Sequence, residues 1–159
     1  MKYSVAMTDG VAAEIDPLAL ESQVCFALAV TNRAVLAVYR PLLEPLGLTH
    51  PQYLVMLALW DNAKGAGEPL SVKDIAWLLQ MDSATLSPML KRLQAQGRIT
   101  RVELAPKGRS LRRQALEVPP SVVERLGVEL SELEHLRDAL TSINTAALAA
   151  GALDSELDR

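Results

Sequence analysis

The chain has 159 residues, half of them hydrophobic, which is enough for one core-bearing domain and argues against intrinsic disorder. Its single cysteine excludes an internal disulfide, and one cysteine with two distant histidines gives no metal-ligand spacing, so no metal or other cofactor is expected. The formal charge of -3 looks unsuited to nucleic acid, yet Lys91 to Arg113 holds eight cations (Lys91, Arg92, Arg98, Arg101, Lys107, Arg109, Arg112, Arg113) against Glu103 alone. Phosphate affinity depends on that local charge and not on the isoelectric point.

The N-terminus has no signal-peptide core, and the longest apolar run, Tyr53 to Trp60, is too short to cross a bilayer. A cytoplasmic protein without a membrane partner is expected. No glycine-rich phosphate loop, nucleophile elbow or His-Glu-x-x-His pattern appears, so an enzyme is not expected.

Residues 1–13 show no periodicity and read as a mobile arm. Asp16-Pro17 is a helix-start signal, and nothing breaks the pattern before Pro41, which predicts one helix from Pro17 to Arg40. Its apolar residues, among them Leu18, Leu28, Val35, Leu36 and Val38 with Cys25 and Phe26, are more than one side of a small domain can cover, implying a partner subunit. Thr49 caps the next helix, His50 to Trp60, apolar almost all round beyond Tyr53 and expected at the buried centre.

After the Gly/Pro loop Asp61 to Pro69, Ser71 and Asp74 form a capping box, and Val72, Ile75, Ala76 and Leu79 repeat at helical spacing. Near Gln80 that helix stops, and Asp82 caps another that Gly97 ends. Two helices so closely joined make a helix-turn-helix, whose second helix enters the major groove while the first braces it. In the second, Leu86, Leu90 and Leu93 form the buried stripe. Ser83, Thr85, Ser87, Lys91 and Arg92 lie off it, short hydroxyls first and long cations later, as base-edge and phosphate contacts require. Pro88 interrupts the helix at a cost of roughly 3 kcal/mol unless local geometry absorbs it. Pro88 and Arg101 complete the candidate DNA-contacting set. An amphipathic surface helix is the alternative, and Arg112 with Arg113 fits a solvated helix face as well as a phosphate contact.

Ile99, Arg101 and Leu104 sit among β-compatible residues, so a short strand is expected. Two antiparallel strands need at least a two-residue turn, and no Gly, Asn, Asp or Pro lies between Ile99 and Leu104 to make one. The expectation is a chain lacking wing residues, deleted or untraced with the numbering running on, and no hairpin within residues 97–106. Pro106 starts a helix that continues from Lys107 to Val118 until Pro119-Pro120 stops it. In the last helix Ser131 and Glu134 make a capping box, and Leu133, Leu136, Leu140, Ile143 and Ala147 form an a/d seam, for dimerisation or for packing within one chain.

Four phrases carry a family resemblance: Leu20-Glu-Ser-Gln-Val-Cys-Phe-Ala-Leu, Tyr39-Arg-Pro-Leu-Leu-Glu, Leu48-Thr-His-Pro-Gln-Tyr-Leu-Val-Met-Leu-Ala-Leu-Trp, and Leu79 to Leu93. Over roughly residues 18–145 the chain resembles MarR-family transcriptional regulators, in particular the organic-hydroperoxide-sensing OhrR branch. The fold implied is mainly α, a winged helix-turn-helix (residues 48–118) with N- and C-terminal dimerisation helices (residues 14–47 and 119–159) in one domain over residues 1–159. The family's wing hairpin carries an Asp-x-Arg element between two strands, and this chain departs from it by running from Arg101 straight into Val102, so its wing is expected to be short, missing or untraced. The function implied is a homodimeric repressor of a palindromic double-stranded DNA operator, released when an organic hydroperoxide oxidises a cysteine. Cys25 matches that cysteine. Of the two tyrosines the family sets against it from the other subunit, Tyr39 matches one and Ala29 stands in place of the other. His50 replaces a further tyrosine, and an imidazole also donates a hydrogen bond.

Cys25 and Tyr39, fourteen residues apart on one helix, stand roughly 21 Å apart at 1.5 Å per residue. They cannot touch within one subunit, but if the first helices of two subunits cross antiparallel about a two-fold axis, Tyr39 of one can reach Cys25 of the other. With no second cysteine, a sulfenic acid goes on to a mixed disulfide with a low-molecular-weight thiol, a sulfenamide or overoxidation. Two other readings compete. One is a repressor released by a small phenolic or lipophilic ligand with Cys25 inert; the other is a thiol peroxidase, for which no catalytic phrase surrounds Cys25.

Overall fold

The computed structural model describes residues 18–65 and 68–152. The expected mobile arm and the helix start at Asp16-Pro17 lie outside them. The chain divides into two compact units between Val35 and Leu36.

A 3-10 turn, Leu20–Ser22, precedes helix α1, Val24–Leu43, so the first long helix starts later and ends later than predicted. Pro41 lies inside its last turn. There it forfeits one hydrogen bond, to the carbonyl four residues back, too little to end a helix about to finish. A second 3-10 turn, Glu44–Leu46, and Gly47 at φ 61° lead into α2, His50–Asn62. Thr49 caps α2 as expected, and Gln52 makes the cap reciprocal: Gln52 N donates to Thr49 Oγ1 (3.4 Å) and Thr49 N to Gln52 Oε1 (3.0 Å).

The core forms around α2, whose Tyr53, Val55, Met56, Leu59 and Trp60 are buried, as the sequence predicts. Against it pack Ile75 of α3 (Val72–Leu79), Leu86 and Leu93 of α4 (Ser83–Ala95) and Ile99 of β1 (Ile99–Thr100). Val118 and Val122 of α6 (Val118–Leu126) close the cluster. Each such side chain contributes about 1.5–3 kcal/mol by leaving water.

Three expectations fail here. Residues 97–106 do hold a hairpin: β1 pairs antiparallel with β2 (Glu103–Leu104), Ile99 opposite Leu104 and Thr100 opposite Glu103. Its turn is Arg101-Val102, possible without glycine because Arg101 adopts φ 59°, which costs a residue with a Cβ about 1–2 kcal/mol. The wing is short rather than missing. Second, α5 (Pro106–Ala115) ends before Pro119-Pro120, which sit in the first turn of α6. Proline fits there because first-turn N–H groups have no helical acceptor. Third, α7 (Leu130–Ala149) begins one residue before Ser131, with Glu129 at the cap position making no side-chain bond. Ser131 is thus inside the helix and forms no capping box with Glu134.

Candidate nucleic-acid interface and cysteine site

The reading unit is fixed by its caps. Ser71 N donates to Asp74 Oδ2 (2.7 Å) and Asp74 N to Ser71 Oγ (3.1 Å), which starts α3. Gln80 turns left-handed at φ 50° while Met81 N donates to Ala76 O (2.9 Å), ending α3 within two residues of the next cap. Asp82 then accepts from Thr85 N and from Thr85 Oγ1, both at 2.7 Å. The hydroxyl bond first and the backbone bond second hold this carboxyl below the usual carboxylate range. Turn and caps are those of the predicted helix-turn-helix.

With Leu86, Leu90 and Leu93 of α4 buried, Thr85, Pro88, Lys91 and Arg92 stand exposed and Ser83 and Ser87 half-buried, so the candidate reading residues share the face away from the core. Thr85 has its hydroxyl proton committed to Asp82 and offers a base only oxygen lone pairs. Arg101 is exposed at the turn of the short wing.

The basic window is not uniformly a contact surface. Arg98 is buried: its Nη2 donates to Leu46 O (2.6 Å) and its Nη1 to Gly47 O (3.0 Å), while its N donates to Leu93 O (3.0 Å). It staples the α1–α2 junction to the end of α4 and is unavailable to DNA. A Cβ on Gly108 would clash with the carbonyl oxygen of Arg98, so the first turn of α5 can rest on that backbone only with glycine there. The role of Arg98 was hidden because its acceptors are backbone carbonyls some fifty residues away, which no charge pattern reveals. Arg112 is half-buried beside an apolar cleft of about 580 Å³ that Tyr53, Leu57, Trp60 and Leu78 also line, whereas Arg113 is exposed.

Cys25 is exposed, one residue into α1, and Tyr39 lies near the other end of the same helix. Tyr39 and His50 come together: their rings meet edge-on, centroids 5.2 Å apart at 71°, with Tyr53 6.1 Å from Tyr39. Burial raises the Tyr39 phenol and lowers the His50 imidazole from their ordinary values; burial first, then Tyr39, raises Tyr53. Around neutral pH the cluster presents two protonated phenols and a neutral imidazole, each with an N–H or O–H to donate.

A family model described as the MarR family matches residues 48–105. Among curated proteins, the organic hydroperoxide resistance transcriptional regulator of Bacillus subtilis is 35% identical over 141 residues, covering 82% of this chain and 92% of its own. The HTH-type transcriptional regulator TtmR of Methylorubrum extorquens is 40% identical over 139 residues, 80% of this chain and 69% of its own. Among solved structures, AbfR of Staphylococcus epidermidis superposes with a TM-score of 0.65 at 26% identity, covering 82% of this chain and 93% of that one.

Proposed function

Because the chain belongs to the MarR family of DNA-binding transcriptional regulators, we propose that it is a homodimeric repressor of a palindromic operator that releases DNA when an organic hydroperoxide oxidises Cys25. Residues 48–118 would serve as the DNA lobe, residues 14–47 and 119–159 as the dimerisation helices, and the cytoplasm as the compartment. The observation that carries the redox step is the exposure of Cys25 on a helix whose apolar side chains Val24, Leu28 and Val30 are also uncovered. A sulfur sealed among aliphatic groups is inert, and this one can meet both an oxidant and a partner chain. The Bacillus relative, an organic hydroperoxide resistance regulator by name, supports the same choice.

The thiolate attacks the peroxide oxygen, its O–O bond breaks, the alcohol leaves, and the sulfur keeps one oxygen as sulfenic acid. A low-molecular-weight thiol then displaces that oxygen as water and forms a mixed disulfide. Bulk added at the dimer interface would move the two reading helices off their half-sites. By length and mean hydropathy, 1.2, Val24–Leu46 would also suit a membrane span. A partner subunit would cover the same apolar surface and is the reading favoured by the family.

The ligand-released alternative finds its support in the cleft beside Arg112, apolar within and about 580 Å³, in the range of about 300–1,000 Å³ of ligand pockets. A gel shift on the protein's own upstream DNA, with and without an organic hydroperoxide, in wild type and Cys25→Ser, tests the proposal. Release in wild type alone supports it, and equal retention in both points to the ligand. Continued peroxide turnover with a recycling thiol would instead mark an enzyme.

A further inference from the structure

A second cleft, of about 690 Å³, opens between the end of α1, the start of α2 and the end of α4. It is built differently from the first. Leu36, Leu43 and Leu48 are among its lining, together with two arginines, Arg40 from α1 and Arg92 from α4, and one acid, Glu44. Arg40 and Arg92 are both exposed, and neither is ion-paired among the described residues. His50 lines this cleft and stacks edge-on with Tyr39.

We infer that this cleft binds the thiol that resolves the oxidised cysteine, and that it selects amino-acid-derived thiols carrying carboxylates. The inference rests on the redox reading above, taken with the family resemblance by which Tyr39 of one subunit stands against Cys25 of the other; His50 adjoins that tyrosine. A chain with one cysteine has no internal resolving thiol, so the second sulfur comes from solution and must approach beside those rings. Two guanidiniums offer charge-assisted, bidentate binding to carboxylates, and Glu44 suits the ammonium of the same molecule. The sulfenic acid and the bound thiol become a disulfide and water: the incoming sulfur forms the S–S bond, the S–O bond breaks, and the thiol proton leaves with the oxygen. The oxidant is the hydroperoxide consumed in the first step.

Glutathione and its diethyl ester share one thiol and differ in their free carboxylates, so they serve as the probes. Full-length protein is oxidised with one equivalent of cumene hydroperoxide, sulfenic acid on Cys25 is confirmed by dimedone trapping, and mixed-disulfide formation is timed by mass spectrometry. The expected result is that glutathione reacts about tenfold faster than the ester, the advantage shrinking with added salt. Arg40→Gln should abolish the advantage and Arg40→Lys keep part of it, with dimedone labelling unchanged in both. Equal rates for the two probes, or an advantage surviving Arg40→Gln, would overturn the inference and leave redox sensing intact. Absence of any dimedone adduct would overturn redox sensing and the inference together.

Discussion

The reading lobe and the two long helices α1 and α7 are made from similar residues and end in opposite states. In the lobe, every helix from α2 to α5 buries part of its apolar face, with Leu86, Leu93, Val55 and Met56 at or near zero exposure. Along α7 no residue is buried, and Leu136, Leu140 and Ile143 remain 37–50% exposed. Of the residues of α1 only Leu43, at its end, is buried. The lobe is complete within one chain, whereas the helices carry a seam whose cover must come from elsewhere. In the proposed dimer a partner chain would supply that cover and bring its cysteine to the ring cluster.

The largest expected effect falls on the unfinished part. Leu136→Glu combined with Leu140→Glu should convert a dimer into a monomer by sedimentation while the helical circular dichroism is largely kept. A double variant that still sediments as a dimer breaks the contrast. Inside the lobe, Leu86→Ala should lower unfolding free energy in urea by about 2–5 kcal/mol. A loss below about 0.5 kcal/mol, the size of a surface change, would mean the lobe is not packed as described. Gly108→Ala should cost about 1–3 kcal/mol in the same assay, because its methyl meets the Arg98 backbone.

Much of the lobe was legible because its signals are local. The caps at Thr49, Ser71 and Asp82 and the leucine stripe of α4 depend only on residues three or four apart, and all four form. The failures came where two local rules conflict or where the partner is distant. Pro119-Pro120 is both a helix stop and a helix start, and only the surrounding chain decides. Arg101 takes a backbone conformation that composition assigns to glycine or asparagine. Arg98 looks like one more surface cation until its two carbonyl acceptors are seen. Of the site residues, the pairing of Tyr39 with His50 follows from their places flanking one short junction, while Arg40 and its cleft gave no signal in sequence.

Smaller effects sharpen the account of the interface. Lys91→Ala and Arg92→Ala should each weaken operator binding. A sequence-specific loss of about 1–3 kcal/mol marks base reading, and a uniform loss with the salt slope reduced by about one marks phosphate. An unchanged double variant would remove α4 from the interface. The smallest effect concerns His50. Burial lowers its pKa in the folded chain, so the unfolded chain binds more protons between the folded value and about 6.5. The stability it contributes is present above about pH 6.5 and is lost as pH falls through the folded value. Urea midpoints from pH 7.5 downward should therefore fall less steeply in His50→Gln than in wild type; parallel profiles would show that His50 titrates normally.

The claim on which sensing depends is that each cysteine site is completed by the other subunit, and mixed dimers test it most directly. Heterodimers of Cys25→Ser with Tyr39→Phe leave one cysteine, and across the interface it faces the intact tyrosine. Heterodimers of wild type with the double variant Cys25→Ser, Tyr39→Phe also leave one cysteine, but it faces phenylalanine. With dimedone trapping after one equivalent of hydroperoxide, the account predicts fast labelling in the first pairing and slow labelling in the second. The reverse order, or equal rates, would contradict it.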